Sequence, residues 1–501
     1  MLSISIRVTK TASKASAVQV VRYENRHVII VKHIGSAHNE KELKSLKEDA
    51  LVWMKKNSKQ LDLFPPLKFN DRSNQFSLNR CRFLGVKYSF IYNVLNQLFD
   101  RFEFTKLKDR MLIDLVLIRI IEPASKLRSF ELLEELFGVK YLRLEFYRHV
   151  NDFIKQKDMV ENMVLAVAKR ELNFNFNLVF YDVTTLYFES FGEDELRKPG
   201  FSKDGKFNQP QILIGLVVNE EGFPVAYEVF EGNTFEGKTI IPVIRSFQNR
   251  HSIKNLTVVA DAAMISANNI AHLKNNGLSY IVGARVANLS ANLIETISHK
   301  LDKQDGANLR IETDLGNLIC NFSQARYKKD KGEMEKQIKK ARTLLLEPSK
   351  MRRAKFLKNS DRGGSMALNE ALINKTESLL GIKGYYTNLD EVNNQTIISH
   401  YHNLWHVEHA FRIAKSDLRT RPIYHFKKKT IEAHVLICFM ALVVCKYMEL
   451  KTGKSIKKNI RELKRVTDAK ILNTMTDEIT MMRSTISAEV EEIMDQLGLT
   501  Y

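Results

Sequence analysis

The stretch NLVFYDVTTLYF, residues 177–188, is the first strand of the predicted sheet. Its apolar, β-branched and aromatic residues indicate a buried strand. Asp182 follows the run NLVFY, and we expect this carboxylate at the end of that run, where a sheet presents side chains at its edge. Burying an unpaired charge is costly, so a carboxylate in this place favours a functional role.

The segments that follow are predicted to form further strands, and amphipathic helices lie between some of them. QILIGLVVNEEGFPVAYEVFEGN predicts two strands joined at Glu221-Gly222, and KTIIPVIRSFQNR predicts an amphipathic helix. LTVVADAAM predicts a strand, SANNIAHLKNNG a helix and YIVGARV a last strand. The order β-β-β-α-β-α-β indicates an α/β fold with a mixed sheet flanked by helices.

A second carboxylate, Asp261, follows the predicted strand LTVVA. Asp261 could cap the next turn, because Ala-Ala-Met-Ile-Ser follows it. As a pair on one predicted sheet, however, Asp182 and Asp261 favour a functional site over two separate caps.

The remaining parts of the chain differ from this middle part in their pattern of apolar and polar residues. We predict an N-terminal α+β region at 1–104, with DNA binding as one role, and a helical DNA-binding or linker region at 105–175. The sheet core then occupies 176–288, an insertion 289–393 and the helical second part of the core 394–450. The last predicted region, a C-terminal helical region at 451–501, continues a chain expected to be helical from about Thr396 to its end.

Composition points to a polyanionic partner. The chain has 501 residues, with 77 Lys and Arg against 58 Asp and Glu, a net charge of +19. This excess favours nucleic acid over a membrane surface. The four cysteines form no CxxC pair, the N-terminus lacks a secretory h-region, and the apolar run at residues 435–445 is too short to span a bilayer. We therefore expect a soluble cytoplasmic protein without disulfides.

The segment ISHYHNLWHVEHAFRIAKSDLRTRP, residues 398–422, is predicted to form one helix. At about 100° per residue, one stripe of this helix carries Tyr401, Leu404, Glu408, Arg412 and Lys415. Glu408 borders the apolar face, where it can meet the sheet. The alternative is a surface glutamate paired with Arg412 at i+4.

Three histidines of the same segment, His402, His406 and His409, fall on another side of the predicted helix. A single site built from the histidines and Glu408 is therefore not expected. No HExxH motif occurs, so a solvated or DNA-facing surface is favoured over a zinc site.

The spacing Tyr401-(2)-Leu404-(3)-Glu408-(6)-Lys415 resembles the Y-(2)-R-(3)-E-(6)-K signature of bacterial insertion-sequence transposases of the DDE type. YDVTTLYFES, VVADAAMIS and WHVEHAFRIAKSDLRTRP are also similar to one branch of that family, from about Asn177 to Leu450. Asp182 and Asp261 match the family's two catalytic aspartates, and Glu408 matches its glutamate. Leu404 replaces the family's arginine, and Arg412 is the candidate to supply that charge.

The resemblance implies an RNase H-like core, interrupted by an insertion, that cleaves DNA at the ends of an element and joins them to a target. Two Mg²⁺ ions, or Mn²⁺ in their place, would be held by Asp182, Asp261 and Glu408, with Asp182 bridging. The expected DNA contacts are Tyr401, Arg412, Lys415, Arg419 and Arg421. The expected partners are double-stranded DNA, as terminal inverted repeats and target, and a second copy of the chain, at the bacterial nucleoid. Two alternatives stay open: an RNase H-like nuclease or recombinase without strand transfer, and an inactive DNA-binding derivative.

Overall fold

The computed structural model describes residues 4–12, 15–24, 27–57, 81–189, 191–202, 205–253, 255–264, 266–346, 354–359, 366–474 and 477–500. The chain divides into two compact units. The smaller unit comprises Met1–Ile91 and Leu463–Ser487, and the larger unit comprises Tyr92–Glu462 and Ala488–Tyr501.

The strands of the described residues follow in chain order. They are β1 (Ile4–Lys10), β2 (Ser16–Glu24), β3 (His27–Ala37), β4 (Cys81–Lys87), β5 (Leu178–Tyr187), β6 (Gln211–Val218), β7 (Pro224–Glu231), β8 (Thr257–Ala260), β9 (Ser279–Ala284), β10 (Asn308–Thr313), β11 (Gly316–Phe322), β12 (Leu357–Asn359), β13 (Met366–Leu368), β14 (Ile382–Thr387), β15 (Asp468–Asn473) and β16 (Ile479–Arg483).

The α-helices of the described residues are α1 (Glu40–Asn57), α2 (Ser89–Arg101), α3 (Arg110–Ile121), α4 (Lys126–Phe137), α5 (Arg143–Lys155), α6 (Lys157–Glu171), α7 (Ile240–His251), α8 (Ala267–Asn275), α9 (Ala291–Lys300), α10 (Gln324–Leu346), α11 (Glu370–Ser378), α12 (Asn394–His402), α13 (Trp405–Arg412), α14 (Lys428–Thr452), α15 (Ile456–Arg465) and α16 (Ala488–Leu497). A π-helical turn, Ile413–Asp417, follows α13.

The smaller unit contains two antiparallel three-stranded sheets. In the first, β1, β2 and β3 lie side by side and α1 packs across them. Val18 and Val20 of β2 share a buried cluster with Leu46 and Ala50 of α1. Residues two apart in a strand and four apart in a helix lie on the same face, which explains why these side chains meet.

The second sheet corrects one prediction. The chain is not helical from Thr396 to its end, because β15 and β16 form a sheet with β4 in the order β16-β15-β4. Asp468 of β15 pairs with both Arg483 and Lys87. These strands are too short for a clear period of two, and they depend on a partner strand from the N-terminal part of the chain.

The larger unit is built on an eight-stranded sheet in the order β10-β11-β14-β9-β8-β5-β6-β7. β5, β6 and β7 are antiparallel neighbours, whereas β8 is parallel to β5 and β9 is parallel to β8. Three antiparallel strands followed by two parallel strands, with α7 and α8 as the connections, form the RNase H-like arrangement. The predicted fold class is therefore confirmed, and β14, β11 and β10 extend the sheet beyond β9.

The turn between β6 and β7 lies where the sequence predicted it. Gly222 has φ +78, a backbone conformation that favours glycine. A Cβ added there would lie 2.9 Å from the Cβ of His406, so a side chain at this position would also displace α13. The turn between β6 and β7 therefore packs closely against α13.

Helices cover both faces of the sheet. Tyr181 of β5 points to the face that α7 covers, where its hydroxyl donates to Thr239 Oγ1 at 2.8 Å. On the opposite face, α13 contacts β5 and β6, α12 contacts β8 and β9, and α14 contacts β7. Because side chains alternate along a strand, Asp182 points to the face that carries α12, α13 and α14.

α14 is the helix at the centre of this second layer. It is the one helix among the described residues that is long and apolar enough to cross a membrane, and 94% of its most apolar window is buried within the fold. Its Cys438 and Cys445 are buried free thiols, as predicted. Burial on all sides identifies α14 as a core helix.

Candidate active site

Asp182 and Asp261 occupy equivalent positions on neighbouring strands. The parallel register pairs Tyr181 of β5 with Ala260, the last residue of β8, so the next residue on each strand is an aspartate. Adjacent strands lie about 4.8 Å apart, and residues in parallel register project to the same face. The strand pairing therefore brings the two carboxylates together.

One expectation about Asp182 is wrong. The strand does not end there, because β5 runs on to Tyr187 and pairs with β6 over its whole second half. The residues VTTLY are β-branched, aromatic or aliphatic and favour a strand. Asp182 reaches an opening because β8, not β5, ends at this level.

The helix that carries Glu408 also differs from its prediction. Residues 398–422 do not form one helix: α12 ends at His402, α13 begins at Trp405, and the π-helical turn follows Arg412. The backbone N–H of Asn403 bonds the carbonyls that close α12, and asparagine favours such helix ends. The break and the π-turn alter the angles calculated for a regular helix.

The three carboxylates nevertheless line one cavity, of about 350 Å³, which we call the carboxylate cavity. Its lining residues are Asp182, Val183, Thr184, Asp261, Leu404, Glu408, Phe411, Arg412 and Lys415. Asp261 and Glu408 are exposed and Asp182 is partly buried. Of the predicted DNA contacts, Arg412 and Lys415 lie here, and Leu404 forms a buried part of the wall.

Tyr401 joins the cavity through Asp261. Its hydroxyl donates to Asp261 Oδ1 at 3.0 Å, and its ring lies on Gly283 of β9, where a Cβ would come within 2.4 Å of the hydroxyl. Burial, reinforced by the Asp261 carboxylate, raises the pKa of Tyr401 above its ordinary value. Tyr401 therefore remains a hydrogen-bond donor that orients one oxygen of Asp261.

Lys383 is a neighbour of this site that the sequence analysis did not single out. Its amino group lies 4.5 Å from the centre of the Tyr401 ring. Burial and Arg326 lower the pKa of Lys383, whereas the carboxylates of Asp261 and Glu408 act in the opposite direction. A lysine within the otherwise apolar strand IKGYYT was the available signal.

Arg419 and Arg421 do not line the carboxylate cavity. They border a separate cavity together with residues of α3 and α4. The predicted basic track is thus divided between two places, with Arg412 and Lys415 in one and Arg419 and Arg421 in the other.

The histidines are less exposed than predicted. His402 is exposed, but His406 and His409 are half-buried, and the ring of His406 lies 3.9 Å from that of Trp405. Burial lowers the pKa of all three, and Lys446 adds to the effect at His406 and His409.

The three carboxylates are suited to binding hard cations through one or two protein ligands each, and not to enclosing a single ion completely. Across the described ranges, no group of three or more His, Cys, Asp or Glu side chains forms a ready-made site for one ion. Mg²⁺ commonly binds one or two carboxylates and completes its shell with water and substrate phosphate. Oxygen donors from Asp182, Asp261 and Glu408 around one open cavity fit that requirement.

An RNase H-like sheet with three carboxylates at one cavity defines a class of phosphodiester-processing enzymes. Residues 176–444, more than half of the chain, match the family model described as transposase DDE domain, and the chain belongs to this family. It is a transposase. No curated protein sequence matches the chain.

Similar solved structures are transposases as well. The piggyBac transposase synaptic complex with hairpin DNA is 9% identical, with 70% of this chain and 68% of that chain covered and a TM-score of 0.38. The Mos1 paired-end complex with left transposon end is 12% identical, with 48% and 66% covered and a TM-score of 0.16. A pre-cleavage Mos1 transpososome is 12% identical, with 49% and 68% covered and a TM-score of 0.16. The identification is carried by the family match and the strand order.

Proposed function

We propose that this transposase uses divalent metal ions at the carboxylate cavity to cleave DNA at the ends of its element and to join those ends to a target. The observation that carries the proposal is the common cavity of Asp182, Asp261 and Glu408, which come from β5, the end of β8 and α13. Three separate parts of the chain supply acidic groups to one opening on the sheet.

Asp182, Asp261 and Glu408 would together hold two Mg²⁺ ions. When bound, such ions lower the pKa of an attacking water or hydroxyl and stabilise the leaving oxygen of a phosphodiester. Mn²⁺ has the same preference for carboxylate and water oxygens and would substitute.

The other residues of the cavity act on position and charge. Tyr401 holds one oxygen of Asp261, which leaves the other for an ion. Lys415 and Arg412 also line the cavity and would contact phosphates beside the scissile bond. Arg412 would replace the charge that the family signature has at position 404, since Leu404 is buried in the wall.

DNA is the proposed partner of this surface. The net charge of +19 favours binding to a polyanion, with an affinity that falls as salt rises. Pairing of two copies on the element ends, the arrangement named for the Mos1 paired-end complex, is proposed for this chain as well. The protein would act at chromosomal DNA in a bacterial cytoplasm.

Cleavage and joining of labelled DNA test the proposal. The substrate is duplex DNA from each side of the coding sequence, incubated with Mg²⁺, with Mn²⁺ or with a chelator. Wild type is compared with Glu408→Gln, which removes one charge from the cavity, and with Glu295→Gln, a matched change at an exposed position of α9. We expect wild type and Glu295→Gln to nick and join the DNA with either metal but not with the chelator.

Glu408→Gln should still bind the duplex but neither nick nor join it. Nicking without joining would instead assign a nuclease or recombinase without strand transfer. Binding without nicking by wild type would assign an inactive DNA-binding derivative. Full activity of Glu408→Gln would remove this glutamate from the site.

A further inference from the structure

A second cavity of the larger unit is strongly basic. It has a volume of about 170 Å³ and lies where α3, the start of α4, the segment 419–425 and α14 meet. We call it the Arg119 pocket, and its lining residues are Arg119, Pro123, Ala124, Ser125, Lys126, Arg419, Arg421, Pro422, Tyr424, His425 and His434. No Asp or Glu occurs among these described lining residues.

Arg119 is buried, and none of the described salt bridges gives it an acidic partner. Arg119 is 3% exposed, and its Nη1 donates a hydrogen bond to the carbonyl of Leu418 at 3.4 Å. Its Nε is a buried donor with no hydrogen-bond partner among the described atoms. A buried guanidinium with an unsatisfied donor is costly unless an acceptor from outside completes it.

The neighbours of Arg119 add positive charge. Lys126 Nζ lies 3.5 Å from Nδ1 of His434, which is 5% exposed. His434 Nε2 lies 3.1 Å from the carbonyl of Thr420, and because a carbonyl only accepts, Nε2 carries the proton. Nδ1 is then free to accept from Lys126, and the histidine contributes no charge of its own.

The pKa values of the basic groups in the pocket are lowered by burial and by one another. Burial, helped by Arg119, lowers the pKa of Lys126 to about 7. Burial, helped by Lys126, lowers the pKa of His425 to about 3. Each basic group therefore suppresses the charge of the next, a repulsion that a bound anion would relieve.

The start of α4 adds to the same field. Ser125 caps this twelve-residue helix by accepting from the N–H of Arg128 at 3.3 Å. Helix N-termini favour anions, in particular phosphate. Arg419 lines the pocket and is exposed, so the pocket reaches the protein surface.

The pocket shares the segment 419–425 with the last residue of the strand that carries Asp182. The N–H of Ile423 donates to the carbonyl of Tyr187 at 3.3 Å, and the guanidinium of Arg421 lies 5.6 Å from the Tyr187 ring centre. Tyr187 is five residues from Asp182 along β5, a distance of roughly 17 Å.

We infer that the Arg119 pocket binds a phosphate group and that, during transposition, this group is a DNA phosphate held away from the cleavage site. The phosphate chemistry rests on the pocket alone, whereas its DNA source rests on the proposed function. Arg119 and Lys126 bind the phosphate oxygens as charged donors, with Arg419 and Arg421 at the mouth.

Two measurements on the full chain test the inference. The first is the melting temperature of wild type against rising inorganic phosphate at constant ionic strength, with chloride as the reference salt. A ligand that binds the folded state raises this temperature as its concentration passes the dissociation constant. The rise should be present in wild type and in Glu408→Gln, and absent in Arg119→Met.

The second is duplex affinity at several salt concentrations for wild type, Arg119→Met, Lys126→Met and the control Arg245→Met. Arg245 is an exposed residue of α7, on the opposite face of the sheet. Loss of one phosphate contact should weaken binding about tenfold and reduce the salt slope by about one, whereas the control should match wild type. Lys126→Met supplies the result if Arg119→Met does not fold.

No phosphate-dependent rise in wild type, together with unchanged affinity and slope in the pocket variants, would overturn the inference. A phosphate-dependent rise with unchanged DNA binding would assign the pocket to a free phosphate ion and overturn its DNA source. Loss of joining in Glu408→Gln does not affect either measurement, so the proposed function and this inference can fail separately.

Discussion

The larger unit buries charge in two contrasting ways, around Glu161 and around Arg119. Glu161 is fully buried, yet Lys157 and Arg250 contact its two oxygens and the N–H of Tyr227 donates to one of them at 3.2 Å. Arg119 is almost as buried but has a single weak bond to a carbonyl and an unsatisfied Nε.

The difference separates charges that hold the fold together from charges that await a partner. A buried ion whose counter-ions come from the same chain is compensated as soon as the chain folds. A buried charge without counter-ions from the same chain destabilises the fold. Such a charge favours the binding of a ligand of opposite charge. The carboxylate cavity is a third arrangement, in which Arg412 and Lys415 line the same opening as the acidic groups.

The largest expected effect is at the carboxylate cavity. Asp182→Asn keeps the shape of the side chain but removes the charge that would bridge two ions. DNA cleavage should fall by at least about 10³-fold, because each metal contact stabilises the transition state by several kcal/mol. Duplex affinity and melting temperature should stay close to wild type, and the measurement is a single-turnover nicking assay with a parallel binding titration.

Parallel loss of folding and activity in Asp182→Asn would contradict this assignment, since it would place the aspartate with Glu161. Glu295→Gln again serves as the matched surface control.

The second effect should appear in stability instead of chemistry. Glu161→Gln leaves Lys157 and Arg250 without their shared carboxylate. Removing one partner of a buried ion pair costs about 3 kcal/mol, so the free energy of unfolding of the larger unit should fall by that amount. Denaturant unfolding measures it, with Glu134→Gln as the control, because Glu134 forms an exposed pair with Lys140 and should change stability far less.

A change at Glu161 no larger than at Glu134 would show that counter-ions within the chain do not set the stability of this region. The distinction between the two kinds of buried charge would then lose its basis.

The sequence predicted local features of this fold well. The strand patterns around Asp182 and Asp261, the turn at Gly222 and the helices from Arg110 to Glu171 all depend on spacing within short segments. Apolar periodicity and turn residues report such features directly. The order of elements along the chain predicted a mixed sheet, and the structure places Asp182 and Asp261 on neighbouring strands of it.

Features set by distant parts of the chain were missed. The prediction placed Asp182 at a strand edge because of its own strand, whereas Asp182 reaches an opening because the neighbouring β8 ends at this level. β15 and β16 require β4 as a partner, and the break at Asn403 interrupts an otherwise regular apolar pattern. Arg119 lies inside the apolar helix RMLIDLVLIRII. Only the structure reveals that no Asp or Glu is among the described residues lining its pocket.

The third effect concerns orientation. Tyr401→Phe removes the hydroxyl that bonds Asp261 and keeps the ring against Gly283 and Tyr385. Loss of a group that orients a metal ligand typically costs 10–100-fold, so we expect cleavage to fall about tenfold and the Mg²⁺ concentration for half-maximal rate to rise. Tyr385→Phe is the control, because its buried hydroxyl donates to Asn321 and not to a carboxylate. Equal losses in both variants would assign the effect to packing.

The smallest expected effect distinguishes the two buried charges most directly. Arg119→Met removes a guanidinium that has no acid beside it, whereas Glu161→Gln breaks a compensated group. Replacing an uncompensated buried ion by an apolar side chain of similar length is neutral or stabilising. We therefore expect the free energy of unfolding to stay constant or to rise by about 1 kcal/mol in phosphate-free buffer, measured by the same denaturant titration. A loss similar to that of Glu161→Gln would mean that Arg119 is held by contacts within the chain, and an anion would then be unnecessary for its burial.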